Sequence, residues 1–315
     1  MRLWLALFTL LLGSVGAWAQ LFQNASGAVA PGNLRYKWIY GSIAAANNRD
    51  PRIQAVAYNA DTIVLRENVC VHWEAPFTYL LAGADRVLLI DTGATAEAEY
   101  YPLRATVDGL IARWASLRNK RDLPLVIVHT SAEDVAQNQG VAQFRGRPNT
   151  TVLTRPNGSI DLGGGRVVTV IPTPGTHRDG VTLYDRYNGH LYTGDLLMPG
   201  RIVISNDGDY IASLERLEKF ATENPVKWVF GGHIEMSTAP GVQYTMRTTF
   251  KPNEHVLQLD PSVIGEALLH ARRIQGKAEV AIRAEFILLN RVGPDERGDW
   301  PSDLPAAPAP AFLLR

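Results

Sequence analysis

Short strand-like segments that end in polar loops dominate residues 61–240, and they occur in two similar blocks. In each block, alternating or continuous apolar residues predict several strands, and one amphipathic helix and a further strand follow them. Such an order favours two packed sheets with helices outside, because each sheet must bury its apolar faces. The predicted strands are 63–66, 69–73, 78–82, 87–90, 125–128, 151–153, 166–171, 181–184, 190–193 and 228–230, and the predicted helices are 103–117 and 212–221.

The segments that flank these blocks carry weaker signals. The last residues are rich in Pro, Ala and charge, which is typical of a loosely attached tail. The predicted divisions are a signal peptide at 1–19, a weakly patterned lead-in at 20–60, one domain at 61–292 and a tail at 293–315, with a short helix at 42–48, a helix at 264–273 and a strand at 280–289.

The first residues are similar to a secretory signal peptide. Arg2 supplies a positive charge, residues 3–15 are nearly all apolar, and Ala17 and Ala19 occupy the small positions that precede a cleavage site. The apolar run is shorter than the roughly 20 residues that a membrane-spanning helix needs. We therefore expect an exported protein, periplasmic or secreted, with no stable membrane span after cleavage.

Charge and cysteine content narrow the class of protein. The chain has 31 Lys and Arg against 31 Asp and Glu, so its formal net charge is zero. This balance disfavours nucleic-acid binding, which normally requires a basic excess, and a small-molecule substrate is the expected partner. The single cysteine, Cys70, cannot form an internal disulfide, and its apolar alternating surroundings favour a buried side chain.

Polar loops follow the ends of five predicted strands. Polar side chains at strand ends are where α/β folds commonly place their active sites. These loops contain Asp91, the segment 129–139, His177, Asp195 and His233.

Together these loops resemble those of the metallo-β-lactamase superfamily. The text FTYLLAGADRVLLIDTGAT is similar to that family's opening strands and first Asp motif. The text TPGTHRDGVTLYDRYNGHLYTGDLL is similar to its third His motif and the following Asp motif, and VFGGHIEM to its last His motif. The resemblance covers roughly residues 60–240. It implies a four-layer αββα sandwich of two mixed sheets with outer helices, and one or two zinc ions at one edge of the sheets.

The family's His-x-His-x-Asp-His motif is degenerate in this chain. The equivalent text is HTSAEDVAQNQGVAQF, which begins at His129. Two registers stay open, and neither restores the motif. Aligning Gly140 and Phe144 with the glycine and phenylalanine that often follow the motif puts Ala132, Asp134, Ala136 and Gln137 at the ligand positions, whereas a start at His129 puts His129, Ser131, Glu133 and Asp134 there.

The surviving polar residues could hold one divalent cation. By the resemblance, Asp195 matches the family's bridging Asp and His233 its last His, and His177 replaces the third His if its loop shifts by one residue. A catalytic zinc site normally has three protein ligands and an open position. A carboxylate-rich set favours Mn²⁺ or Fe²⁺ more than a three-His site does. The candidate ligands are Asp134, His177, Asp195, His233 and His129, and the catalytic candidates are Asp195 and Asp134. The expected cofactor is one divalent ion, either Zn²⁺ or Mn²⁺ or Fe²⁺. A site without any bound metal is the other expectation.

Two hypotheses about function come from this pattern. The leading one is an exported hydrolase of an ester, lactone or amide bond, with a depleted site that holds at most one metal ion and thereby activates water. The alternative is a catalytically inactive relative that keeps the sandwich as a binding module, since loss of the His-rich motif is what relaxed selection on catalysis would produce. Convergence of the candidate ligands around one pocket favours the enzyme.

Overall fold

The computed structural model describes residues 28–290, which form fifteen β-strands and four α-helices. Short 3₁₀-helices also occur at Ala45–Asn47 and Gln139–Phe144. The strands are β1 (Ile53–Asn59), β2 (Thr62–Glu67), β3 (Phe77–Ala82), β4 (Val87–Ile90), β5 (Leu125–Val128), β6 (Thr150–Leu153), β7 (Ser159–Asp161), β8 (Val167–Pro172), β9 (Val181–Asp185), β10 (His190–Gly194), β11 (Arg201–Ile204), β12 (Trp228–Gly231), β13 (Gln258–Leu259), β14 (Val280–Ile282) and β15 (Ile287–Asn290), and the helices are α1 (Leu103–Leu117), α2 (Val135–Asn138), α3 (Asp207–Glu223) and α4 (Ser262–Ile274).

Two six-stranded sheets carry most of the fold. Their strand orders are β1-β2-β3-β4-β5-β6 and β13-β12-β10-β9-β8-β7. Each sheet is mixed: β4, β5 and β6 are parallel in the first, β10 and β12 are parallel in the second, and the other neighbours are antiparallel. A small sheet with the order β11-β15-β14 lies beside them.

The strands at the centre of each sheet are apolar on both faces, which produces four layers. In β4, Leu88 and Ile90 belong to the core that lies between the two sheets, whereas Val87 and Leu89 pack in a second core that includes Val107 of α1. The outer face of the second sheet packs on α3 and α4 in a third core. Because a strand alternates its side chains between faces, such runs are buried only between two layers. The predicted αββα sandwich is confirmed.

The segment 69–73, predicted as a strand, is a turn. The Asn68 side chain accepts a hydrogen bond from the Cys70 N–H at 2.8 Å, and the Asn68 carbonyl accepts from Val71 and His72. An asparagine side chain that binds its own backbone competes with strand pairing in this way. The strand prediction was therefore wrong, and the turn that replaces it carries Glu74 to the site described below.

Other differences concern segments with weak patterns. Residues 20–60, treated as a lead-in, contain β1, which pairs antiparallel with β2. Residues 280–289, predicted as one strand, form β14 and β15 with a turn between them. The helix predicted at 42–48 is reduced to a single 3₁₀ turn.

Two predicted segments, the signal peptide at 1–19 and the tail at 293–315, lie outside the described residues. Across residues 28–290, each helix is too short or too polar to cross a bilayer.

Candidate metal centre

Two buried side chains brace the loops at one edge of the sheets. Asp91 directly follows β4, and its carboxylate accepts hydrogen bonds from the Thr130 N–H at 2.7 Å and from the Thr130 hydroxyl. Burial raises the pKa of Asp91 to about 7, although the bonds from Thr130 act in the opposite direction. These contacts hold the end of β4 against the end of β5, so Asp91 fixes the position of the loops without being one of the ligand candidates.

The loop after β5 presents Asp134. This residue is the N-cap of α2, and its carboxylate accepts a hydrogen bond from the Ala136 N–H at 2.9 Å. Asp179 fastens the same loop, because its carboxylate accepts from the Ser131 hydroxyl at 2.6 Å and from the Ala132 N–H at 2.7 Å. Asp134 is thereby held at the sheet edge with a buried side chain.

Asp134, His177 and Asp195 form a first group of possible ligands. One ligand atom from each lies within 4.8 Å of the others. Burial and the charge of Asp195 raise the pKa of Asp134 to about 9. Burial alone would raise the pKa of Asp195 too, but the His233 ring beside it lowers that pKa below its usual value. Two carboxylates that share a buried space in this way repel each other until a proton or a cation lies between them.

This group fits a divalent cation. The Oδ1 atom of Asp195 is buried, and its 3.4 Å contact with His233 Nδ1 lacks hydrogen-bond geometry within residues 28–290, so this oxygen keeps a lone pair for an ion. Two carboxylates and one imidazole meet the three-ligand requirement of a catalytic site with an open position. These three residues would hold the ion.

Glu74, His233 and Glu235 form a second group, again with ligand atoms within 4.8 Å of one another. His233 follows β12 and faces two carboxylates: Nδ1 lies 3.4 Å from Asp195 Oδ1, and Nε2 lies 3.3 Å from Glu235 Oε1. Arg201 pairs with the other Glu235 oxygen at 2.7 Å. Burial lowers the pKa of His233, yet the charges of Asp195 and Glu235 outweigh it and raise that pKa well above its usual value.

His129, the fifth candidate ligand, is absent from both groups. Its Nε2 lies 3.0 Å from the Thr92 hydroxyl, and burial lowers its pKa to about 4. The structure thus brings together Asp134, His177 and Asp195, places His233 at their side, and directs His129 elsewhere. Glu74 was missed because it belongs to none of the family's motifs, and Glu235 because the last His motif, VFGGHIEM, marks only its histidine.

The contacts of the loop from 129 agree with the register set by Gly140 and Phe144. Phe144 is buried in the core beside α1, and the Gly140 N–H donates to the Gly93 carbonyl. Asp134 and Gln137 consequently reach the site, while Ala132 and Ala136 stand at the other two positions of the family's motif. Gln137 is fully buried, and neither atom of its amide group has a hydrogen-bond partner among the described residues.

A cavity of about 280 Å³ opens beside both groups. It is lined by His177 and Asp195 of the first group, by the three residues of the second group, and by Arg201. Trp73, Met198, Val203 and Met246 supply its apolar surface. Small-molecule sites typically combine such apolar surface with a few convergent polar groups.

Residues 114–233 match the family model described as the metallo-beta-lactamase superfamily. The matched segment contains Asp134, His177, Asp195 and His233. Over these residues the chain is similar to the metallo-β-lactamase superfamily, which confirms the resemblance of its motifs.

Fewer known proteins are similar to this chain by sequence than by structure. A protein of Gallus gallus named acyl-coenzyme A thioesterase MBLAC2 is 34% identical over 77 residues, which are 23% of this chain and 28% of that protein. Its namesake from Bos taurus is 30% identical over 96 residues, 29% of this chain and 34% of that protein. The chain thus matches about a third of the length of these relatives.

Solved structures are similar at lower identity. A metallo-beta-lactamase from Pontibacter korlensis has 15% identity and a TM-score of 0.47, and the match covers 70% of this chain and 99% of that one. An archaeal metallo-beta-lactamase superfamily protein from Sulfolobus tokodaii has 15% identity and a TM-score of 0.42, with coverage of 67% and 84%.

Proposed function

We propose that this protein is a metal-dependent hydrolase of an acyl carbonyl, with a thioester or ester as the first substrate class to test. The observation that carries the proposal is the convergence of Asp134, His177 and Asp195, since His177 and Asp195 also line a cavity with apolar walls. The thioester is suggested by the two relatives named as acyl-coenzyme A thioesterases. Lactones and amides stay in the same reaction class, because hydrolysis of each begins with water attacking a carbonyl carbon.

Asp134, His177 and Asp195 would hold the cation. When bound, it supplies Lewis-acid polarisation and lowers the pKa of water toward 7. Asp134 retains a proton at neutral pH in the cation-free protein, since its pKa is about 9, and it releases that proton when it becomes a ligand. Of the residues at the four ligand positions of the family's motif, only Asp134 belongs to this group. We therefore propose a depleted site, which has fewer histidine ligands than the family's motif supplies.

The cavity walls would hold the acyl group. Met198, Val203 and Met246 offer flexible apolar surface, and methionine adapts well to chains of different shape. Trp73 lies over the Arg201 guanidinium at 5.9 Å, which gives the cavity one rigid aromatic wall.

The experiment uses the full chain, freed of metal by chelation and then supplied with Zn²⁺ or Mn²⁺. Hydrolysis of acyl thioesters and 4-nitrophenyl esters of increasing chain length is measured with the parent, Asp195→Ala and the exposed-site control Glu99→Gln. We expect activity that depends on the added cation, falls on the order of 10³-fold in Asp195→Ala, and stays unchanged in the control. Hydrolysis that is independent of cation and of Asp195 would contradict the proposal.

A non-catalytic binding module is the second candidate. Ala132, Ala136 and Gln137 stand where the family's motif has ligands, which favours a protein that has lost the reaction. The hydrolysis assay together with equilibrium dialysis separates the two candidates. A binding module retains the acyl compounds in dialysis and hydrolyses none of them with either cation.

We further propose export, on the basis of the apolar segment at 3–15 and the small residues before Gln20. The mass of the protein recovered outside the cytoplasm tests this. We expect a first residue of Gln20, and a mature chain that retains Met1 would contradict the proposal.

A further inference from the structure

We propose that a small cavity between residues 34–38 and residues 251–258 binds a small carboxylate with a compact apolar body, such as benzoate. Its volume is about 120 Å³, and it shares no lining residue with the cavity at the metal centre. A cavity of roughly 150 Å³ holds a molecule as large as benzene, so this one has room for a ligand of several heavy atoms. Both walls lie outside the matched segment 114–233, and the proposal holds whether or not the protein is a hydrolase.

The two walls of this cavity are held in place by the fold. On one wall, the Gln54 side chain of β1 accepts from the Ile39 N–H at 2.8 Å and donates to the Lys37 carbonyl at 3.1 Å. The other wall is tied to the first, because the Lys251 N–H donates to the Tyr40 carbonyl at 2.9 Å. The cavity is therefore preformed, so a ligand does not have to order the chain around itself.

Lys251 is a buried cation in the wall of this cavity. The residue is only 1% exposed, and its ammonium makes one hydrogen bond among residues 28–290, to the Ile234 carbonyl at 3.1 Å. An ammonium group has three N–H donors, and lysine is rarely buried without a charged partner. The carboxylate that comes closest to it in the described chain, that of Glu254, lies 4.0 Å away. The ammonium therefore keeps bonding capacity for a ligand.

Glu254 does not fully compensate the charge of Lys251. Both of its carboxylate oxygens accept from the buried Arg66, at 2.6 Å each. The other charges that act most strongly on Lys251 are those of Glu235 and Arg201, which pair with each other at 2.7 Å. Burial lowers the pKa of Lys251 to about 8, against the effect of Glu254, so the ammonium still carries its charge at pH 7. One buried positive charge is thus in excess, and a bound anion would neutralise it.

Lys37 adds a second positive charge to the cavity. This residue is exposed, and its Nζ lies 4.8 Å from the centre of the Tyr40 ring. The third basic residue of the lining, His255, has its Nε2 atom 3.3 Å from the Glu285 carboxylate, which compensates any charge on that ring. Lys37 and Lys251 therefore offer two ammonium groups, one exposed and one buried, to a single carboxylate.

The apolar lining favours a carboxylate with a hydrocarbon body over an inorganic anion. Leu34 and Trp38 pack against the core between the two sheets, to which Leu257 belongs. The ring of Tyr36 lies 5.5 Å from that of Trp38 between centroids, and Val256, which also lines the cavity, is 52% exposed. Burying a hydrocarbon body against this surface is favourable, whereas inorganic phosphate has no such surface to bury.

The test is calorimetric titration of the chelator-treated full chain with sodium benzoate at pH 7, in a buffer free of carboxylates. Benzamide, which has a similar shape and no charge, serves as the matched ligand. We expect one equivalent of benzoate to bind, and benzamide to bind at least about 10-fold more weakly, because hydrogen bonds to charged groups contribute more than neutral ones. Inorganic phosphate should also bind more weakly than benzoate.

Three lysine variants locate the bound benzoate. Its affinity should fall about 10- to 100-fold in Lys251→Met, which removes the buried charge and keeps the length of the side chain. It should fall about 3-fold in Lys37→Gln, because an exposed charge contributes less. The control Lys219→Gln, at a side chain of α3 that is 77% exposed, should bind like the parent. Thermal unfolding is recorded for each variant, and Lys37→Gln keeps the test decisive if Lys251→Met does not fold.

The parent titration already exposes the proposal to failure. Absence of saturable benzoate binding, or equal affinities for benzoate and benzamide, overturns the site. Unchanged affinity in both Lys251→Met and Lys37→Gln would place benzoate elsewhere and overturn it as well. An equal loss in Lys219→Gln would show non-specific charge attraction, which also contradicts a built site.

Discussion

Asp195 Oδ1 lies 3.4 Å from Nδ1 of His233, across the ends of two parallel neighbouring strands. Asp195 follows β10 and His233 follows β12, and Gly194 pairs with Gly231 in the register of these strands. Carboxyl ends of parallel strands meet at one edge of a sheet, which brings loops that are distant in sequence together. This contact joins the two ligand groups into one site.

Stability of the cation-free protein should fall between pH 7 and pH 9. The folded-state pKa of Asp134 is about 9, above its unfolded value of 3.8, so its stabilising proton is lost as pH rises through 9. A single such group changes the free energy of unfolding by on the order of 1 kcal/mol per pH unit. Urea unfolding at pH 7, 8 and 9 measures the slope.

The Asp134→Asn variant isolates this contribution. Asparagine has the shape of a protonated aspartic acid but no proton that titrates in this range. The free energy of unfolding should therefore change less steeply with pH in the variant, by on the order of 1 kcal/mol per pH unit. Saturating Mn²⁺ should flatten the slope of the parent in a similar way, because a bound cation displaces the proton. An identical slope in parent and variant would rule out Asp134 as the titrating group.

Gly232→Ala should weaken cation binding. A Cβ atom at this position would collide with the amide of Gln137 and lie 2.9 Å from Asp195 Oδ1, so one of these side chains must move. We expect a roughly 10- to 100-fold loss of Mn²⁺ affinity in the first group, the range found when the surroundings of ligands are disturbed.

Gly109→Ala is the matched control. A Cβ atom at Gly109 in α1 would contact nothing within 4 Å, so this change should stabilise the helix by about 0.5–1 kcal/mol and leave cation affinity unchanged. Combining Gly232→Ala with Gln137→Ala should restore part of the affinity, because the amide then no longer blocks the new methyl group. Equal affinities of Gly232→Ala and the parent would contradict the expected collision.

Arg166→Met should destabilise the fold strongly. Arg166 pairs with Asp185 at 2.6 Å with both side chains fully buried, and it donates to the Ala82 carbonyl and the Thr62 hydroxyl across the two sheets. Removing one partner leaves Asp185 as an uncompensated buried charge, which costs about 3–5 kcal/mol. Urea unfolding of this variant and of the exposed Arg113→Met provides the comparison, and a difference below about 1 kcal/mol would contradict the role.

His129→Asn should leave cation stoichiometry unchanged. The ring of His129 lies outside both ligand groups and is hydrogen-bonded to Thr92. Loss of that bond should cost about 1 kcal/mol of unfolding free energy. A lost equivalent of Mn²⁺ in this variant would show instead that His129 is a ligand, as the sequence suggested.

The layered fold was predictable because its signals are local. Residues 87–90 and 125–128 are apolar throughout, and each became a strand buried on both faces. The apolar positions of α1 recur at helical spacing, and α1 has the bounds that the pattern predicted. The segment 69–73 failed because the side chain of Asn68 stabilises a turn, and that competition is invisible in an alternating apolar pattern.

The residues of the candidate site could be predicted only where a sequence motif of the family contains them. Sequence alone determined that polar loops follow the strands and that Asp134, His177, Asp195 and His233 are the side chains to examine. Tertiary structure decided which side chains lie together: it placed Asp134, His177 and Asp195 within 4.8 Å of one another, left His129 outside this group, and put Glu74 and Glu235 beside His233. The reason is physical: a ligand group is defined by distances of a few ångströms between residues up to 161 positions apart, as for Glu74 and Glu235. No local pattern encodes such distances, because they are set by how strands pair and sheets pack.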